Sequence, residues 1–152
     1  MKEVPLEYAL ILIEIIPKRL GFSDEQMFAL TKEAKDDIKY LLDIPNASFG
    51  GKPLYETVSE AAATLFYSVI KDHKFENGNK RTAVILTLAF LHANGRWPMI
   101  QPDEMYDLAL GIAKSKPEKR EEEITRLTDL FNKKVVRVSL ILRWVDRLFG
   151  KK

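Results

Sequence analysis

Apolar residues recur at helical spacing along most of this chain. One stripe lies between residues 6 and 20, and another between residues 27 and 42. Intervals of three and four residues place such side chains on one face of a helix. Ser23 and Gln26 have the spacing of a capping box. The pattern therefore predicts a second helix that begins near Ser23 and stops at Pro45.

The helical spacing is interrupted between residues 46 and 55. The run Ser-Phe-Gly-Gly-Lys-Pro in this segment contains two glycines, which permit positive φ, and Pro53, which prevents a helix. A small hairpin is the structure that this composition favours. Thr57 and Glu60 then form a capping box, which predicts a third helix that ends near Asp72.

Residues 83–91 are apolar on every side, which is typical of a fully buried helix. We expect this central helix to begin between Asn77 and Lys80 and to end at Asn94-Gly95. Pro102 can occupy the first position of a further helix, and Pro117 separates that helix from the next. The sequence therefore predicts an all-α domain with a central buried helix and a small β-hairpin.

The tail from residue 135 to residue 149 is apolar with interspersed arginines. It predicts a last helix, although residues 136–140 also alternate like a strand. We expect the domain to span residues 1–134, with residues 135–152 as a C-terminal extension of it. That extension could seal the core, form a homodimer or contact a partner.

The composition excludes several classes of function. The 152 residues suit one soluble domain, and a net charge of +2 argues against direct nucleic-acid binding and against membrane adsorption. The absence of cysteine excludes disulfides, and with only two histidines a zinc site is disfavoured. No apolar run is long enough to span a bilayer and the N-terminus does not resemble a signal peptide, so the expected location is cytoplasmic.

The candidate site for binding and catalysis is the segment His73-Lys-Phe-Glu-Asn-Gly-Asn-Lys-Arg81. Here the start of a helix would direct its N–H groups, its dipole and two cations toward one anion, such as a phosphate. An adjacent histidine can act as a general base, and Phe75 would anchor the loop in the core. Residue chemistry alone leaves open an ordinary loop-to-helix junction with a capping histidine and solvated cations.

This segment resembles the signature of the Fic/Doc (Fido) family, His-x-Phe-x-(Asp/Glu)-Gly-Asn-(Gly/Lys)-Arg. The run from Ser48 to Tyr55 resembles the flap that precedes the signature in the death-on-curing (Doc) branch. The resemblance is specific from residue 46 to residue 95 and looser elsewhere. It implies a helical Fido-type bundle that transfers part of a nucleotide, usually AMP from ATP, to a hydroxyl of a target protein.

The resemblance also implies roles for individual residues. His73 would be the general base, and Phe75 would be the buried anchor. The nucleotide phosphates would be held by Gly78, Asn79, Lys80 and Arg81. An extended target segment would pair with the flap by β-augmentation. The flap residues concerned are Phe49, Gly50, Gly51, Lys52, Leu54 and Tyr55.

Three departures from the family pattern affect the expected reaction. Lys80 stands where members that transfer AMP have glycine, and Val84 replaces a second arginine. Both favour transfer of the γ-phosphate, as in the Doc branch. Asn77 stands where the family has a metal-binding Asp or Glu. Its amide oxygen could ligate Mg²⁺ weakly, or its side chain could cap the central helix, and Glu76 is expected to point elsewhere.

The expected function is therefore that of a Doc-type toxin. Its substrates would be ATP, with Mg²⁺, and a target protein such as the translation factor elongation factor Tu. No inhibitory segment of the family type is found in the sequence, so a separate antitoxin would silence it. The alternatives are AMP transfer and a weakened Fido domain that acts as a binding module, which Asn77 favours.

Overall fold

The computed structural model describes residues 1–19 and 27–139. This part of the chain contains six α-helices and two small antiparallel sheets, which confirms the predicted all-α class. The helices are α1 (Leu6–Arg19), α2 (Lys32–Asp43), α3 (Val58–Lys71), α4 (Asn79–Ala93), α5 (Pro102–Lys114) and α6 (Arg120–Lys134). The strands are β1 (Ser48–Phe49), β2 (Lys52–Pro53), β3 (Arg96–Pro98) and β4 (Val135–Arg137).

Helix α4 is the central buried helix, as predicted. It packs against α1, α3, α5 and β3, so apolar residues on all of its faces are covered. Even the threonines Thr82 and Thr87 are fully buried within it. Because α4 is enclosed by its neighbours, its position in the bundle is fixed. Its first turn contains the last three residues of the motif, Asn79, Lys80 and Arg81.

Helix α3 begins at the predicted capping box. The Thr57 side chain accepts a hydrogen bond from the Glu60 N–H at 3.1 Å. The Glu60 carboxylate in turn accepts one from the Glu56 N–H at 3.0 Å, one residue before the cap. At its other end, Lys71 donates through Nζ to the carbonyl oxygen of Ser115, just beyond α5. The loop that follows α3 therefore starts from a fixed point.

The predicted hairpin is also confirmed. Strands β1 and β2 pair in antiparallel register, with Phe49 opposite Lys52. Gly50 and Gly51 form the turn with φ of 57° and 77°. Two successive positive φ values are the requirement of a type I′ hairpin turn, and glycine meets it at little steric cost.

The predicted start of the second helix is wrong. Helix α2 begins at Lys32, because the Thr31 side chain accepts a hydrogen bond from the Ala34 N–H at 3.2 Å and caps it there. Residues 27–30 are not helical, and two of them, Met27 and Phe28, contact the motif instead. Ser23 and Gln26 lie outside the described residues.

The helix predicted for the tail is wrong over its first residues. Val135–Arg137 form β4, which pairs with β3 so that Val136 lies opposite Trp97. The alternating apolar pattern and the β-branched valines suit this strand better than a helix. Residues 140–152, and with them the possible dimer contact, lie outside the described part. Among the described residues, no helix is long and apolar enough to cross a membrane.

Candidate functional site

A seven-residue loop, residues 72–78, joins the end of α3 to the start of α4. His73 is exposed near the beginning of this loop and adopts a φ of 47°, in the left-handed region. Residues other than glycine rarely adopt this conformation, and a histidine held in it depends on the surrounding structure to keep it there. The contacts of the loop therefore determine where the imidazole lies.

Asn79 closes the loop at its base. Its side chain accepts a hydrogen bond from the Phe75 N–H at 3.1 Å and donates one to the Phe75 carbonyl oxygen at 2.6 Å. The side chain is only 6% exposed. Because both ends of the amide are occupied within the loop, the Asn79 side chain holds the backbone in place, and a phosphate could reach this residue only through its N–H.

Two further contacts hold the loop against α2 and the segment before it. The Phe75 ring is buried and stacks on Phe28, with ring centroids 3.9 Å apart and planes 8° from parallel. Lys74 lies on the outer side, where its Nζ is 3.6 Å from Asp37 and 5.1 Å from the centre of the Tyr40 ring. No pattern in the sequence indicated that Phe28 would contact the loop.

Gly78 caps α4 in a conformation that requires glycine. Its φ is 82°, and the N-cap position makes no side-chain hydrogen bond. A Cβ at this position would lie 2.9 Å from the sulfur of Met27. The interpretation of Asn77 as the cap of this helix is therefore wrong, because the helix begins one residue later.

The start of α4 presents backbone donors to the loop. The first hydrogen bond of the helical ladder runs from the Thr82 N–H to the Gly78 carbonyl oxygen at 2.8 Å. The N–H groups of Asn79 and Lys80 precede that bond and have no acceptor within the helix. Such groups, together with the helix dipole, favour an anion.

A cavity of about 440 Å³ lies over this helix start. It brings together the loop and the first turn of α4, with an apolar wall from α3 and α5. The residues that line it are Ile70, His73, Glu76, Asn77, Gly78, Asn79, Lys80 and Ala113. A general-base candidate, a cation and backbone donors thus share one cavity. Glu76 also lines this cavity, although the sequence indicated that it would lie elsewhere.

Arg81 is not among the residues that line this cavity. It is 5% exposed, its Nη1 lies 3.9 Å from the Met27 sulfur, and it lines a small separate cavity with Tyr106 and residues of α1. The predicted flap residues also lie apart from the cavity. Phe49 and Leu54 are exposed on the hairpin at 83% and 51%, and Tyr55 lines a neighbouring cleft.

Glu76 and Asn77 offer oxygen donors that fit a magnesium ion. The described residues contain no group of three or more His, Cys, Asp or Glu side chains suited to hold a metal by themselves. Mg²⁺ in nucleotide sites takes one or two protein oxygens and completes its coordination with phosphate and water. The Glu76 carboxylate and the Asn77 amide, both from residues that line this cavity, are ligands of that kind.

Comparison with known proteins gives one result. The model of the family described as Fic/DOC matches residues 12–91, which is just over half of the chain. The matched region contains α2, α3, the flap, the loop and most of α4. No significant match was found among curated proteins or among solved structures.

Proposed function

This chain belongs to the Fic/DOC family, and we propose that it transfers the γ-phosphate of ATP to a Ser or Thr hydroxyl of a target protein. The family includes enzymes that transfer phosphate or AMP to proteins. The observation that carries the choice of phosphate transfer is that Lys80 lines the same cavity as His73. A lysine there occupies space and adds a positive charge where glycine would leave bare backbone.

The cavity residues support the following course. The neutral His73 imidazole accepts the proton of the target hydroxyl as its oxygen forms a bond to the γ-phosphorus. The bond from that phosphorus to the oxygen bridging to the β-phosphate breaks, and ADP leaves with the electron pair. Lys80 and the N–H groups of Asn79 and Lys80 stabilise the phosphate charge during the transfer. The proton on His73 then passes to solvent.

Mg²⁺ would neutralise part of the charge on the phosphates when it is bound. Glu76 and Asn77 are the residues that would hold it. The carboxylate of Glu76 supplies the charge that the amide of Asn77 lacks. For that reason we favour an active enzyme over a domain that has become a binding module.

We also propose that the target docks on the hairpin, with Phe49 and Leu54 as its exposed apolar contacts. An extended segment added beside a short exposed hairpin gains main-chain hydrogen bonds, and neighbouring pockets read its side chains. A translation factor such as elongation factor Tu is the proposed target. A cytoplasmic location and silencing by a separate antitoxin complete this Doc-like interpretation.

Labelled ATP tests the reaction type. The purified chain is incubated with candidate targets, Mg²⁺ and ATP labelled at the α or the γ position. We expect label on the target from γ-labelled ATP only, and none with His73→Ala. Label from α-labelled ATP would show AMP transfer, the alternative reaction of the family, and would refute the role given to Lys80.

A matched pair of variants tests the metal assignment. Glu76→Gln removes the carboxylate and should raise the Mg²⁺ concentration needed for half-maximal activity, whereas Asn77→Asp should lower it. Glu56→Gln, an exposed carboxylate outside the cavity, serves as the control. An unchanged Mg²⁺ dependence in both site variants would exclude these two residues as ligands.

A further inference from the structure

A second, larger cleft of about 710 Å³ lies beside the flap and the His73 loop. It lies between the hairpin, α2, α3 and the start of α6. Three tyrosines, Tyr40, Tyr55 and Tyr67, form aromatic parts of its wall. Its position is informative because Asp72 lines this cleft while His73, the next residue, lines the other.

The charge of the cleft is negative. Glu3, Asp43 and Asp72 line it, and Arg120 is the cation among its described lining residues. The Arg120 guanidinium already pairs with Glu121, and its centre lies 5.9 Å from the centre of the Tyr67 ring. An anionic ligand would therefore meet more negative than positive charge, whereas a cation would meet carboxylates and aromatic faces together.

The tyrosines add a second and independent indication. Tyr67 is only 4% exposed, yet it lines the cleft. Burial raises the pKa of Tyr55 and of Tyr67, so both phenols stay neutral near physiological pH. The Tyr40 ring already has the Lys74 ammonium 5.1 Å from its centre. Aromatic faces beside carboxylates are the usual surroundings of a bound alkyl cation.

The cleft lies where a docked segment would pass. Ser48 of β1 lines it, so a strand that pairs with the hairpin runs along its edge. A strand advances about 3.3 Å per residue, and an extended Lys or Arg side chain reaches about twice that distance. Asp72, the neighbour of His73, lines the cleft, so a side chain bound there would belong to a residue near the acceptor hydroxyl in the sequence of the segment.

We propose that this cleft binds a Lys or Arg side chain of the target segment, and thereby selects acceptor hydroxyls that have a basic residue nearby. The inference rests on the proposed function, because it assumes that the segment carries the hydroxyl to His73. The carboxylates of Asp43 and Asp72 would pair with the cation. The rings of Tyr40, Tyr55 and Tyr67 would cover its alkyl part, and the Tyr67 hydroxyl would accept a hydrogen bond.

Peptides of nine residues with a central Thr provide the probe. One series places Arg at each position from four before to four after the Thr, and a matched series places citrulline, which is neutral and nearly the same shape. Binding is measured by fluorescence anisotropy and transfer by γ-labelled ATP. We expect at least one Arg peptide to bind about tenfold more tightly than its citrulline match, roughly 1.4 kcal/mol.

Substitutions of cleft residues test whether the preference for Arg over citrulline arises there. Asp43→Asn should lower the affinity for the Arg peptide toward that of the citrulline peptide and leave the citrulline peptide unchanged. Tyr67→Phe removes the hydroxyl alone and should produce a smaller loss of the same kind. Glu118→Gln, an exposed carboxylate that does not line the cleft, should change neither affinity. Circular dichroism confirms that each variant is folded.

The outcomes separate the two proposals. Selective binding of Arg peptides without transfer would support the cleft and count against the proposed reaction. Transfer with equal binding of Arg and citrulline peptides, or a preference for an acidic residue in place of Arg, would overturn the cleft assignment while keeping the reaction. Equal binding in every pair, with no transfer, would count against both.

Discussion

Asn79→Ala tests whether this side chain holds the loop. The substitution removes both partners of the Phe75 backbone, its acceptor at 3.1 Å and its donor at 2.6 Å. Each buried backbone group left without a partner costs about 1–3 kcal/mol. We therefore expect the free energy of unfolding to fall by about 3 kcal/mol, allowing for some access of water to the loop.

Urea unfolding followed by circular dichroism measures this loss. At a slope of about 2 kcal/mol per molar urea, the midpoint should fall by about 1.5 M. Asn77→Ala is the matched control, because it removes an exposed amide from the same loop and should cost less than about 0.5 kcal/mol. Equal small losses in both variants would refute the structural role of Asn79.

Asn79→Asp sharpens the same test. The new carboxylate can still accept from the Phe75 N–H, but it places a second oxygen opposite the Phe75 carbonyl. Repulsion there raises the pKa of the new carboxyl in the folded state. The loss of stability relative to the natural chain should therefore be large at pH 7 and shrink as the pH falls and the carboxyl becomes a donor. A loss independent of pH would contradict this geometry.

Three further predictions concern backbone conformation and pH. Gly78→Ala should lower the free energy of unfolding by about 1–2 kcal/mol because of the positive φ, and by more because the new Cβ would contact Met27. Gly50 also has a positive φ but has open space around it, so Gly50→Ala should lose only the roughly 1–2 kcal/mol. Equal losses in the two variants would show that the contact with Met27 is unimportant. Gly111→Ala, in a helix with open space, should raise the melting temperature by about 2 °C, and a decrease would refute this. Burial raises the pKa of Tyr67, so the stability that this residue contributes is complete below about pH 10 and is lost as the pH rises above it. The urea midpoint of the natural chain should therefore fall at alkaline pH, and Tyr67→Phe should make that fall smaller. An unchanged fall would exclude Tyr67 as its source.

The helices could be predicted because their local signals agreed with their packing. Thr57 with Glu60, the glycine turn of the hairpin and the apolar α4 each had one consistent interpretation. The predicted start of α2 was wrong because both Ser23 and Thr31 are residue types that can cap a helix. Local sequence does not decide which of the two residues does so. The pairing of β3 with β4 joins residues about forty positions apart, which no local pattern in Arg96–Pro98 indicates.

Within the site, His73, Gly78, Asn79 and Lys80 line one cavity, as the motif predicted, but Arg81 lies outside it and the side-chain contacts of Asn79 were not predicted. The motif suggested that Asn79 and Arg81 both face a phosphate. The structure uses the Asn79 side chain to hold Phe75, and it places Arg81 against Met27 outside the cavity. Their predicted phosphate-binding roles remain predictions. Met27 and Phe28 complete the site from a segment whose sequence carries no recognisable signal.

The position of Glu76 follows from the same closure of the loop. Adjacent side chains point to opposite sides only when the backbone is extended. Here the Asn79 side-chain amide is hydrogen-bonded to both the N–H and the carbonyl oxygen of Phe75. Residues 76–78, which lie between Phe75 and Asn79, therefore form a tight turn. Glu76, Asn77 and Gly78 all line the cavity as a result. A chain with an amide at position 77 thus keeps a carboxylate at the same cavity, one residue earlier, as the proposed metal assignment requires.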